Sequence, residues 1–223
     1  MLERIKEVSE AALIAARHKT GSYSQLGEDV ILKYIADQIG LKPGIFIDIG
    51  ASDGKSMSNS YLFRKLDWRV CAFDGAYENE LVRRALFTTE NIGYYYPTIT
   101  YKSIGYILSI DIDGQDYYIL NSALHLNGDP PAIICLEVNG CIQQETPQTV
   151  PLNDNFKHDG TDYYGANLPA FKQLLTDYTL VFHHHSQNAF FVHKSYNCHE
   201  FTEPLIPMQY HPHDMAERPW VTL

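Results

Sequence analysis

The sequence is short of the features that mark several large classes of protein. No apolar run approaches the roughly 20 residues needed to cross a bilayer, so no membrane span is expected. The N-terminal residues mix acids and bases with apolar positions and lack the continuous apolar stretch of a signal peptide. Four cysteines, Cys71, Cys135, Cys141 and Cys198, form no C-x-x-C pair. They predict reduced, mostly buried thiols and a cytoplasmic location. Basic residues are outnumbered, 17 Lys and Arg against 27 Asp and Glu, for a net charge of -10. Arg83-Arg84 is the only compact basic patch, which speaks against a nucleic-acid partner. A full G-x-G-x-x-G and a P-loop lysine are both missing. There is no internal repeat and no low-complexity tract.

What remains is ordinary globular composition, with 45% hydrophobic and 20% charged residues in 223. That length suits one full domain. Three parts are expected: an amphipathic helix within residues 1–21, a main domain over 22–200, and an irregular, proline-containing tail over 201–223. Ile5, Val8, Ala12, Leu13 and Ala16 lie on one face of the first helix, which packs on its own domain or on another domain of a larger parent protein. Ser22 and Gln25 fit a capping box opening a helix over about 25–39. Apolar runs at 45–50, 69–73, 107–110 and 133–137 read as buried strands. Helices are expected over 58–65, 78–87, 117–126 and 168–176, and residues 179–185 and 189–193 read as a closing antiparallel pair. The alternation predicts an α/β, Rossmann-like fold with a mostly parallel central sheet and an antiparallel C-terminal strand pair.

In such sheets ligands bind beyond the carboxyl ends of the strands. Acids or amides stand at those ends: Asp48 and Gly50, then Asp74, then Asp111 and Asp113, then Glu137 and Asn139. Folding alone does not require this. Asp48-Ile-Gly50-Ala51-Ser-Asp53-Gly54 offers a glycine turn that lets a ligand approach the backbone. Asp74 ends the next strand, where an acid accepts bonds from ribose hydroxyls. An acid-lined pocket suits the sulfonium of S-adenosylmethionine and repels a pyrophosphate.

Ser24-Gln25-Leu-Gly27-Glu28-Asp29, Phe46-Ile-Asp48-Ile-Gly50-Ala51-Ser-Asp53-Gly54 and Ser58-Asn59-Ser60-Tyr61 resemble segments of FkbM-type methyltransferases. Ser109-Ile-Asp111-Ile-Asp113-Gly114-Gln-Asp116-Tyr117, Ile134-Cys-Leu-Glu137-Val-Asn139 and Tyr163-Tyr164-Gly165-Ala166 extend the resemblance, which runs from about residue 22 to 194. It implies a class I methyltransferase fold and O-methylation, often of sugars or polyketides. The stretch before Ile107 is shorter than the family usually shows, so a reduced third strand is expected.

S-adenosylmethionine is then expected to meet Gln25, Glu28, Asp48, Gly50, Ala51, Asp53, Asn59, Asp74 and Asp111. A hydroxyl acceptor must lose a proton to become a nucleophile. Asp111, Asp113, Glu137 and Asn139 form an all-oxygen set suited to Mg²⁺ or Mn²⁺. Without a metal, Asp113 or Asp116 is the expected base, with Glu137 orienting the acceptor. His184, in the run His183-His184-His185, is a further acid–base candidate. Tyr117, Tyr118, Tyr163 and Tyr164 offer flat walls for a sugar ring, and loop 139–165 is the expected substrate-recognition segment. The expected function is O-methylation of a sugar or glycan hydroxyl with a divalent metal. The alternatives are a degenerate binding module that scaffolds glycan processing and a nucleotide-dependent oxidoreductase.

Overall fold

A computed structural model of the chain describes residues 21–95, 105–126, 128–142, 145–184, 187–200 and 218–223. The amphipathic helix expected in residues 2–17 lies outside them. No helix among the described residues is long and apolar enough to cross a membrane.

The chain is α/β. It begins with α1 (Glu28–Gln38), β1 (Ile45–Ile49), the short α2 (Tyr61–Arg64), β2 (Arg69–Asp74) and β3 (Val82–Arg84). Next come α3 (Ile92–Tyr95), β4 (Tyr106–Ile110), α4 (Asp116–Leu124), β5 (Ile133–Glu137) and β6 (Gln148–Thr149). The last elements are α5 (Leu168–Leu174), β7 (Tyr178–His184), β8 (Asn188–His193) and β9 (Val221–Thr222). Seven strands form one sheet in the order β3-β2-β1-β4-β5-β8-β7; β1 to β5 are mutually parallel, and β8 runs antiparallel to both its neighbours, β5 and β7. The order reverses between β1 and β4, where a doubly wound sheet opens a crevice at its strand ends.

Side-chain alternation divides the core between the two sheet faces. Ile45, Ile47 and Ile49 join Leu108, Ile110 and Phe171 on one face, while Phe46 joins Ile31, Phe63 and Ile107 on the other. Asp48 and Ser109 are in register and follow Phe46 and Ile107 on that second face. The same period of two that buries the isoleucines therefore turns Asp48 away from the first face.

Several expectations change. Helix α1 starts at Glu28 rather than Gln25, with Gly27 as its N-cap at φ 102°. Ser24 Oγ accepts from Gly27 N and Asp29 N, and Asp29 gathers Ser22 Oγ, Ser24 Oγ and Tyr23 N, so this serine–aspartate knot replaces the capping box. Residues 78–87 hold the three-residue strand β3, not a helix. Asn79 Oδ1 caps a turn by accepting from Leu81 N and Val82 N, and the open edge of β2 then recruits Val82–Arg84 as ladder partners. The third strand is as short as expected. The tail also carries regular structure at its end: β9 pairs with β6, inside the loop expected to be irregular.

Candidate functional site at the strand ends

A cavity of about 570 Å³ opens at the carboxyl ends of β1, β2, β4 and β5. Its floor is the turn after β1. Gly50 sits at φ 90°, and a Cβ placed there would stand 1.6 Å from the Asp111 carbonyl oxygen. No L side chain fits, so glycine lets the β1 and β4 ends close on each other at the crossover. No helix follows directly: residues 50–60 are irregular and α2 begins only at Tyr61.

The wall carries five carboxylates, Asp74, Asp111, Asp113, Glu137 and Asp154. Among the described residues lining it there is no lysine, arginine or histidine. Asp74 ends β2; its Oδ2 accepts from Ser52 N at 3.0 Å, and its Oδ1 from Ala76 N and Tyr77 N. Those bonds fix the carboxylate and leave lone pairs for a ligand. Met57, Tyr77 and Leu86 are large apolar side chains left exposed, and all three border this cavity. Ala85 and Phe87 continue the apolar strip.

Asp111, Asp113 and Glu137 each bring a carboxylate oxygen within 4.8 Å of the other two. Alternation along a strand does not achieve this. Strand β4 ends at Ile110, and Asp113 enters through a tight turn at φ 54°. Burial, reinforced by the other acids, pushes the Asp111 and Glu137 carboxyls well above the usual carboxylate range. The two carboxyls are also in hydrogen-bond contact with each other. Glu137 Oε2 is buried with no partner.

Other expected site residues serve the frame. Asp116 is fully buried and does not line the cavity; its carboxylate accepts from Ile112 N and Gly114 N and so builds the turn that presents Asp113. Burial, opposed by those bonds, pushes it up to about 6. Asp48 lies beneath the floor among Ser58, Ser60 and Ser109; burial raises it to about 6 although those hydroxyls lower it. Asn59 Nδ2 donates to Ser109 Oγ in the same layer. Ala51 packs against Ala72 and Val82. Asp53 accepts from Lys55 N and Ser56 N, and these bonds hold its carboxyl below the usual range. Gln25 does line the cavity, whereas Glu28 is buried behind it, accepting from Leu26 N and Asn188 Nδ2.

Asn139 does not join the acid cluster. Its Nδ2 donates to Asp162 O and Tyr164 O, both at 2.8 Å, and its Oδ1 accepts from Cys141 N. It thus straps the long loop to the end of β5. None of the four tyrosines lines the cavity. Tyr118 Oη donates to Val150 O, Tyr117 packs on Phe171, Tyr163 meets Trp220 edge to face beneath Arg218, and Tyr164 is buried. The backbone of His184 ends β7 opposite Asn188, and its side chain lies outside the described set.

The structure adds groups that the sequence did not mark. Loop 139–165 reaches the cavity through Asp154 and Phe156, and the Phe156 ring lies where a Cβ on Gly114 would stand. His158 Nε2 lies 2.6 Å from Thr161 O, and its Nδ1 3.9 Å from Asp113 Oδ1. Gln187, in the β7–β8 turn, lines the cavity with a buried Oε1 that has no partner. Nothing in local sequence singles out these residues, because loop closure and hairpin register bring them in.

No known family model matches the chain, and no curated protein is recognisably similar to it in sequence.

Proposed function

We propose that the chain is an S-adenosylmethionine-dependent O-methyltransferase, with a sugar or glycan hydroxyl as acceptor and a divalent metal assisting. The observation that carries this reading is the cavity wall: five carboxylates with no cation among the described lining residues, at the crossover point of a doubly wound sheet. A dinucleotide needs a helix N-terminus for its pyrophosphate. The turn after β1 offers none, and the wall repels phosphate. A sulfonium cation meets favourable charge instead. The cavity volume falls within the range of about 300–1,000 Å³ usual for small-molecule sites. The strip of Met57, Tyr77 and Leu86 beside Asp74 suits a planar base next to a ribose. The acceptor class rests on the FkbM resemblance.

When bound, S-adenosylmethionine supplies an electrophilic methyl group, and its transfer turns a sulfonium into a neutral thioether. The chain's own residues have three tasks. Asp74 and the bare Gly50 backbone orient the cofactor end of the cavity. Asp111 and Glu137 set a negative field that favours a cation over bulk water. Asp113, whose side chain is 61% exposed, joins them from the solvent side to complete the oxygen set that would hold the assisting cation, which would acidify an acceptor hydroxyl.

Calorimetry with S-adenosylhomocysteine tests the reading. Binding in the micromolar range is expected, and Asp74→Ala weakens it by at least about tenfold, or about 1.4 kcal/mol. Absence of binding to the parent chain, with and without Mg²⁺, overturns the proposal.

A further inference from the structure

Two buried oxygens in the cavity wall have no partner. Glu137 is 6% exposed and Gln187 is 9% exposed, and neither Glu137 Oε2 nor Gln187 Oε1 meets a donor. An unsatisfied buried acceptor costs about 1–3 kcal/mol. Here there are two in one cavity wall, and Asp111 and Asp113 each bring a carboxylate oxygen within 4.8 Å of one from Glu137.

Gln187 is held in place. Its carbonyl accepts a hydrogen bond from Val138 N, and the next residue, Asn188, is in register with Glu137 across β8 and β5. Asn188 is tied in turn to Glu28. The β5–β8 pairing thus fixes the Gln187 backbone at the end of β5, and its side chain lines the same cavity as Glu137, Asp111 and Asp113.

A water molecule would bond to the oxygens but not offset three close carboxylates. A hard dication answers both needs, since carboxylate and amide oxygens are its usual ligands.

We propose that Asp111, Asp113, Glu137 and Gln187 hold one divalent cation of the Mg²⁺ or Mn²⁺ class, with Gln187 Oε1 as the neutral fourth oxygen. Three carboxylates and one amide leave a dication with a single net negative charge around it. Such ions retain water in their remaining positions, where an acceptor hydroxyl can enter. The inference rests on the metal-assisted form of the methyl-transfer reading, and it replaces Asn139 by Gln187 in the ligand set.

The test is Mn²⁺ titration of the EDTA-treated full chain, without cofactor or acceptor, read by loss of the free-ion electron paramagnetic resonance signal. One Mn²⁺ per chain is expected, displaced by Mg²⁺. Gln187→Ala weakens binding by about tenfold or more. Gln187→Glu binds at least as tightly as the parent, which keeps the test decisive should the alanine variant misfold. Asp111→Asn abolishes binding. No binding to the parent up to about 1 mM, the weak end of biological oxygen sites, overturns the cation site and with it the metal assistance. Parent-like binding in both Gln187 variants overturns the role of Gln187 alone. S-adenosylhomocysteine calorimetry decides the methyl-transfer reading separately.

Discussion

Two cavities of about 570 Å³ each border β2, and they carry opposite charge. One lies at the strand ends and is lined by carboxylates. The other lies along the β2–β3 flank and is lined by Arg64, Arg69 and Arg83, with Glu78 and Glu80 among its other lining residues. The arginines are largely hydrated: Arg69 and Arg83 are exposed, and the Arg83 guanidinium lies 5.3 Å from the Tyr95 ring centroid. Arg64 Nη2 donates to Leu81 O, although its Nε is buried without an acceptor. At the strand ends, by contrast, Glu137 is buried beside other acids, and its Oε2 has no partner. Volume does not separate the two cavities; desolvation does. A charge in water costs the fold little, whereas a buried uncompensated charge persists only if something offsets it in use.

The largest expected effect that sharpens this contrast comes from the cavity floor. Gly50→Ala must move the Asp111 carbonyl and adopt a left-handed backbone, at a cost of about 3–5 kcal/mol. Urea denaturation reads the loss, and S-adenosylhomocysteine binding disappears with it. Gly93→Ala, in the helix leading to Tyr95 at the arginine cavity, has its nearest contact at 3.5 Å. It is expected to be neutral or stabilising, by up to about 1 kcal/mol. Similar stabilities for the two variants would mean that the strand ends are no more tightly built than the flank.

Asn139→Ala comes next, at about 2–4 kcal/mol, because it removes the buried Asn139 Nδ2 bonds to the Asp162 and Tyr164 carbonyls and the bond its Oδ1 accepts from Cys141 N. Below its melting temperature it should bind Mn²⁺ like the parent. A selective loss of metal affinity without loss of stability would return Asn139 to the ligand set.

The acid side also predicts a pH dependence. Asp48 titrates at about 6 in the fold because burial raises it, against an ordinary value near 4 in the unfolded chain. Between those values the folded state binds more protons than the unfolded state. Stability therefore falls as pH rises through this window, by about 2–3 kcal/mol, and this group adds no further loss above it. Asp116, also at about 6, acts with the same sign. Asp48→Asn is neutral throughout, so its denaturation midpoint should fall less steeply between pH 4 and 6. A slope as steep as the parent's would show that Asp48 is not the group responsible.

The layer order, the parallel sheet and the acids at its strand ends were legible from sequence because each follows from a local period. Apolar runs mark β1, β4 and β5, and the residue after each run marks its end. The strand β3 was not legible, since the spacing of Val82 and Ala85 also fits a helix and only the open edge of β2 decides. Within the site, Asp74, Asp111, Asp113 and Glu137 were found by position. Their division of labour from Asp116 and Asn139 was not, because those two differ only in whether a backbone amide or carbonyl has already claimed the side chain. Gln187 and His158 enter through a hairpin turn and a loop, and no sequence period points to either.

The smallest effect is expected at the arginine cavity, and it bears most directly on the contrast. Arg83→Ala removes an exposed charge and one cation–π contact, worth about 0.5–1 kcal/mol at an exposed site. Arg69→Ala removes a second exposed charge, and surface changes of that kind usually stay within about 0.5 kcal/mol. The double variant should therefore melt within a few degrees of the parent. Its affinity for S-adenosylhomocysteine should be unchanged, because neither residue borders the acid cavity. If it instead lost cofactor affinity, the charge on the flank would be acting across β2 on the site, and the two cavities would have to be treated as one electrostatic unit.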